Sequence, residues 1–156
     1  MRNTNWKDIA ELIGIAAIVA SLVAVVVELR QTKSALIAST YQQRAFDAVA
    51  TNLAVAENER LIDLITATDR GRNSAAVNAL SDSEMQLLRL FLVARMADSD
   101  NEHYQFEAGL LDEEFLRNNT TSLIARYAPG WRAIGLRESR ASFRTFVDDV
   151  LDEKSD

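Results

Sequence analysis

From Leu12 to Val27 the chain runs for sixteen residues without a charge, and Ser21 is the one polar side chain among them. The run is too short by itself to separate a buried helix from a membrane span, which needs about 18 or more apolar residues. Extending it from Ile9 to Leu29 gives 21 residues, or about 31 Å of helix at about 1.5 Å per residue. That length matches a bilayer's hydrocarbon core, with Glu11 and Glu28 at the two interfaces. The decisive feature is angular. A surface helix of a soluble bundle keeps a polar face, whereas this segment is apolar all round and must be enclosed by protein or by lipid. The rest of the chain, about 110 to 120 residues after the segment, has too little apolar surface to wrap it on every side. A transmembrane helix over residues 9–29 is therefore expected, with Trp6 just outside it where an interfacial indole belongs. A cleaved signal peptide fits less well, because Asp8 and Glu11 precede or enter the run and no small-residue cleavage site followed by a polar start is evident.

Within the span the small residues fall on one stripe. Ala10, Gly14, Ala17, Ser21 and Ala24 follow at spacings of 4, 3, 4 and 3, a heptad seam that lets helix backbones approach closely. Close approach drives association in lipid, where the hydrophobic force between helices is absent. The seam predicts a homo-oligomer or docking to another membrane protein. It continues through Glu28, Gln31, Ala35, Ala38, Gln42, Ala45 and Val49. No Pro or Gly lies between Ile15 and Arg70, so one unbroken helix is expected to pass from the span into the following segment. Glu28 and Gln31 fall on this face at the boundary, where they pair across an oligomer, line the mouth of a pore, or reach into the headgroup zone. A pore is the second function to weigh.

The remaining composition excludes much. One His and no Cys remove disulfides, thiolate nucleophiles and cysteine zinc sites. Five Gly and one Pro with abundant Ala, Leu, Glu and Arg read as all-α. The first thirty residues hold three basic and three acidic side chains, so the whole net charge of −6 lies beyond Arg30. An acidic domain of that kind lacks the basic footprint nucleic acid requires. Positive charges flanking the span, Arg2 and Lys7 before it against Arg30, Lys33 and Arg44 after it, lean toward a cytoplasmic C-terminal domain.

The expected organisation is a short tail over 1–8, the span over 9–29, a juxtamembrane helix and small antiparallel helical bundle over 30–151, and an acidic tail over 152–156. In the bundle, "AENERLIDLITATDRG" predicts a short helix stopped by Gly71, and "RNSAAVNAL" a loop with one weak helical turn. Ser81 and Glu84 stand in capping-box spacing ahead of an apolar stripe of Met85, Leu88, Leu92 and Met96, and Gly109 ends that helix. A further helix starts at Asp112 and is expected to stop at Pro129 and Gly130, and a last one runs from Ile134 to Leu151.

Three segments, "ELIGIAAIVASLVAVVVELRQTKSALIASTYQQ", "NEHYQFEAGLLDEEF" and "PGWRAIGLRESRASFRTFVDDVL", together resemble a family of uncharacterised bacterial membrane-anchored helical proteins. In that family one N-terminal span leads into an Arg- and Gln-rich helix, a Glu-Asn-Tyr-Gln-Gly segment follows, and a Gly-Trp-Arg segment lies near the end. The resemblance implies the inner membrane of a bacterium and a helical domain, and supplies no activity. This chain departs from the family pattern in having Glu28 where the family commonly has Gln.

Two clusters carry ligand-like spacing. Asp98 and Glu102, and His103 and Glu107, are i, i+4 pairs on one helix. A metal-dependent enzyme using these four residues is the third function to weigh. A two-metal bundle centre would need Glu-x-x-His, and position 100 is Asp, so the spacing favours a hydrogen-bonded core histidine. Arg137, Arg140 and Arg144, at i, i+3 and i+7 on the last helix, share a face that would contact anionic lipid headgroups or an acidic partner, or pair within the chain with the surplus of carboxylates. No phosphate loop or nucleophile elbow exists, no cofactor is implied, and the sequence carries no sign of an enzyme.

Overall fold

The computed structural model describes residues 6–153. Every regular element among them is helical: α1 Trp6–Ala56, α2 Glu59–Ala67, α3 Ser74–Asn78, α4 Asp82–Glu107, α5 Glu113–Phe115, a π-helical stretch Leu116–Thr120 and α6 Thr121–Ala133 continuing directly from it, and α7 Ala141–Glu153. The backbone falls into two compact units that divide between Thr40 and Tyr41. The expected tails lie partly within helices, since α1 already includes Trp6 and α7 includes Asp152 and Glu153. Residues 1–5 and 154–156 are outside the described residues.

The first unit is the helix α1 up to Thr40. It forms because residues 15–70 contain neither Pro nor Gly, and it presents Leu12, Ile13, Ile18, Val19, Leu22 and Val23 fully to the outside. The α1 helix is long and apolar enough to cross a membrane, and none of its most apolar stretch is buried by the chain itself.

In the second unit the starts of α2, α3, α4 and α5 are each fixed by a polar side chain that accepts an orphan backbone N–H. Asn58 caps α2 through Leu61 N at 3.0 Å, and Asn73 caps α3 through Ala76 N at 3.2 Å. Ser81 and Glu84 form the predicted capping box on α4, and Asp112 caps α5 through Phe115 N at 2.7 Å. Three helices end in the same double hydrogen bond of the Schellman type. In α4, Leu110 N donates to Gln105 O and Gly109 N to Phe106 O. In α6, Leu136 N donates to Trp131 O and Gly135 N to Arg132 O. In α2, Arg70 N donates to Ile65 O and Asp69 N to Thr66 O.

Three expectations are corrected here. The left-handed residue closing α2 is Asp69, at φ 45°, rather than Gly71, which follows at φ 90°. Pro129 lies inside α6 rather than ending it. Continuing the helix buries Ala128 and Trp131 completely, which offsets the hydrogen bond that proline removes. The last helix begins at Ala141, because Gly135 at φ 77° closes α6 and the chain runs without helix to Arg140.

The second unit is centred on α4, against which α2, α6 and α7 pack. Its core is Leu88 and Leu92 from α4, Ile124 and Trp131 from α6, and Phe143 and Val147 from α7, all fully buried. Complete burial of each such side chain contributes about 1.5–3 kcal/mol. Gly130 sits where α6 meets the turn after α2, and a Cβ there would fall 1.9 Å from the Arg70 carbonyl oxygen.

Candidate functional site

As a helix, α1 meets its backbone polar groups within itself and presents apolar side chains outward. Ser21, the one polar side chain between Leu12 and Val27, donates from Oγ to the Ala17 carbonyl at 2.9 Å, so the segment carries no unmet polar side chain into an apolar medium. Ala10, Gly14, Ala17, Ser21 and Ala24 are all exposed on this helix. A Cβ at Gly14 would meet nothing within 4 Å among the described residues. Glu28 and Gln31 follow it, exposed, one turn apart.

The four α4 residues with ligand-like spacing do not converge. Among the described residues no group of three His, Asp or Glu side chains is placed to hold a metal ion. Instead the four are divided among Arg44 from α1, Arg95 of α4 itself and Arg140 from the connection before α7. Glu102 is nearly buried and accepts from Arg44 Nη1 at 3.1 Å and from Thr120 Oγ1 at 2.8 Å. Arg44 is held in turn by Gln105 Oε1 at 2.9 Å from its Nε. Burial raises the Glu102 carboxyl above the ordinary range, and the Thr120 and Arg44 contacts oppose that rise. Asp98 is likewise raised by burial and faces Arg95 at 3.6 Å.

His103 lies on the other side of α4, stacked on Phe146 with ring centroids 4.6 Å apart. Its Nδ1 faces Arg140 Nη2 at 3.1 Å. A guanidinium can only donate, so Nδ1 accepts and the imidazole is neutral with its proton on Nε2. Burial lowers the His103 pKa, Arg140 lowers it further, and Glu107 and Asp100 pull the other way. Arg140 also binds Asp100 Oδ1 at 2.8 Å through Nε and the Asp100 carbonyl at 3.0 Å. It pairs with Glu107 as well. It thus ties the second half of α4 to the start of α7.

The arginine row is dissolved by the same change at the start of α7. Arg137 lies in the connection before α7, Arg140 is turned onto α4, and Arg144 donates to the Glu138 carbonyl at 2.7 Å. The three do not form one lipid-facing surface. The sequence did not single out Glu138, which is 1 % exposed and accepts from Arg132 Nη2 at 3.3 Å. Arg132 also pairs with Asp148 at 2.8 Å. The surplus of carboxylates was the only sequence signal for these internal pairs.

What remains as a functional surface from the sequence reading is the uncovered α1 stripe. Comparison of the chain with models of known protein families, with curated proteins and with solved structures finds no match.

Proposed function

We propose that the chain is a single-pass membrane protein that self-associates through the small-residue face of α1 and carries its helical bundle as a cytoplasmic interaction module. The observation that carries this reading is a helix apolar around its whole circumference that the chain leaves uncovered. In water such a surface is costly, at about 25 cal/mol for each Å² of apolar area. Lipid removes that cost, and the stripe of Ala10, Gly14, Ala17, Ser21 and Ala24 then offers the closest backbone approach. The resemblance to bacterial membrane-anchored proteins supports an inner-membrane address, and the three-to-two excess of flanking positive charge supports a cytoplasmic bundle. The internal pairing of Asp98, Glu102, His103 and Glu107 directs the reading away from an enzyme and toward an accessory protein.

The test is the mass of the purified full-length protein in mild detergent, measured for the natural chain and for Gly14→Leu with Ala17→Leu. Both positions lie in the first unit and are exposed, so the fold of the second unit is expected to survive. The natural chain is expected to be oligomeric and the variant monomeric. A natural chain that is strictly monomeric at all detergent ratios contradicts the proposal.

A further inference from the structure

The second unit contains a groove of about 290 Å³ whose walls come from the end of α1, from α2, from α4 and from α6. Its apolar side is formed by Val55, Ile62, Ile65, Phe91 and Tyr127. Phe91 and Tyr127 meet edge to face, with centroids 5.7 Å apart. Two arginines, Arg70 and Arg95, also line it, and no Asp or Glu does. In a chain of net charge −6 that combination is a local exception.

Arg95 is poorly answered by the protein. Its side chain keeps 11 % of its surface, and the carboxylate it faces, Asp98, stands 3.6 Å away, beyond a hydrogen bond. Its Nε is buried without a hydrogen-bond partner, and its guanidinium carbon lies 5.4 Å from the Phe91 ring centre. Burial raises the Asp98 carboxyl, and Arg95 and Arg44 oppose that rise. A buried cation whose donors are incompletely met is a strong recognition element for an anion. A second arginine-lined groove, with Arg70, Arg72, Arg117 and Arg126, lacks this property. There Asp69 pairs with Arg70 and Arg72, Glu113 pairs with Arg117, and Glu153 lies in the lining.

We propose that the Arg95 groove binds a small anionic amphiphile, a medium-chain carboxylate whose head meets Arg95 and whose chain lies along Ile62, Ile65 and Phe91. The volume of about 290 Å³ lies just below the range for ligand pockets, about 300–1,000 Å³, which suits one short acyl chain rather than a two-chain phospholipid. The charge supplies specificity. An uncharged chain of the same length gains the apolar contacts and leaves Arg95 unpaired, and a site built around such a group rejects the ligand that cannot satisfy it.

The test is equilibrium dialysis of radiolabelled octanoate against the full chain in lipid nanodiscs, with empty nanodiscs as the reference and octanamide as the uncharged probe. One saturable octanoate site per chain is expected above the empty-disc background, with octanamide at least about tenfold weaker. Arg95→Met is expected to weaken octanoate at least about tenfold and to leave octanamide unchanged, while Arg95→Lys stays within about threefold of the natural chain. Ala56→Trp, at an exposed position of the groove wall, is expected to block octanoate without altering thermal unfolding. Uptake no greater than in empty nanodiscs overturns the proposal, as does equal affinity for octanoate and octanamide. The latter two measurements use the natural chain and do not depend on any variant folding.

Discussion

Replacing Gly130 by alanine tests the packing that holds the second unit together. Helix propensity alone predicts a gain of about 1 kcal/mol, because Gly130 lies inside α6 and Ala is the better helix former. The structure predicts the opposite sign. The new Cβ falls 1.9 Å from the Arg70 carbonyl oxygen and 3.0 Å from its carbonyl carbon. Both are backbone atoms and neither can rotate away. Restoring an ordinary contact of about 3.4 Å requires α6 and the turn after α2 to separate by about 1.5 Å, and overpacking of this kind costs typically about 1–3 kcal/mol and occasionally more. Taking about 3 kcal/mol for the clash and returning about 1 for propensity leaves a net loss of about 2 kcal/mol. In a unit of this size that lowers the melting temperature by about 8–10 °C. The chain has two tryptophans, Trp6 and Trp131, so in a Trp6→Phe background the fluorescence of the buried Trp131 reports unfolding of this unit alone. Gly135→Ala is the control. Its Cβ meets open space, but φ is +77°, so backbone strain alone costs about 1–2 kcal/mol. A Gly130→Ala protein as stable as the natural one, or more so, would refute the close approach of α6 to the Arg70 turn.

Arg44→Met leaves Glu102 buried without its cation, and such a loss costs about 3–5 kcal/mol near neutral pH. Chemical denaturation is expected to show most of that loss, with recovery when Glu102→Leu is added or when acid protonates Glu102. His103 has its pKa lowered by burial, so the unfolded chain binds a proton that the folded chain refuses. Stability therefore rises with pH across the window from the depressed folded value up to about 6.5 and is lost as pH falls through it. Urea titrations of the natural chain are expected to show this slope, and His103→Gln, the only histidine having been removed, is expected to flatten it. Ser81→Ala removes the capping box of α4 and is expected to cost about 1 kcal/mol by the same assay; an unchanged midpoint would show that the start of α4 does not depend on its cap.

The parts of the fold that were legible in the sequence are those written in local chemistry. The absence of Pro and Gly gave the continuity of α1, Ser81 with Glu84 placed the start of α4, Asp112 placed the start of α5, and Gly109 placed the end of α4. The errors came where tertiary contacts overruled local preference. Pro129 ordinarily stops a helix, yet burial of Ala128 and Trp131 carries α6 past it. Gly71 is the better left-handed residue, yet Asp69 takes the cap, and Gly71 and Gly130 serve the close contact of two chain segments. The predicted row of Arg137, Arg140 and Arg144 assumed a helix from Ile134, and the cap at Gly135 removed the shared face. Arg44 is 58 residues from Glu102, and no periodicity links them, so their pairing is visible only in three dimensions. The same holds for the Arg95 groove, whose walls come from four elements.

The central claim is that α1 spans the membrane and meets a second copy through one face. The chain has no cysteine, so single cysteines can be introduced one at a time from residue 9 to residue 29 and oxidised in membranes washed with alkaline carbonate. The protein is expected to stay in the membrane pellet and to form disulfide-linked dimers from cysteines at Gly14, Ala17, Ser21 and Ala24, with little or none from Leu12, Val19 and Val26 on the opposite side. Release of the protein by carbonate, or cross-linking that is absent or equal all around the helix, would contradict it.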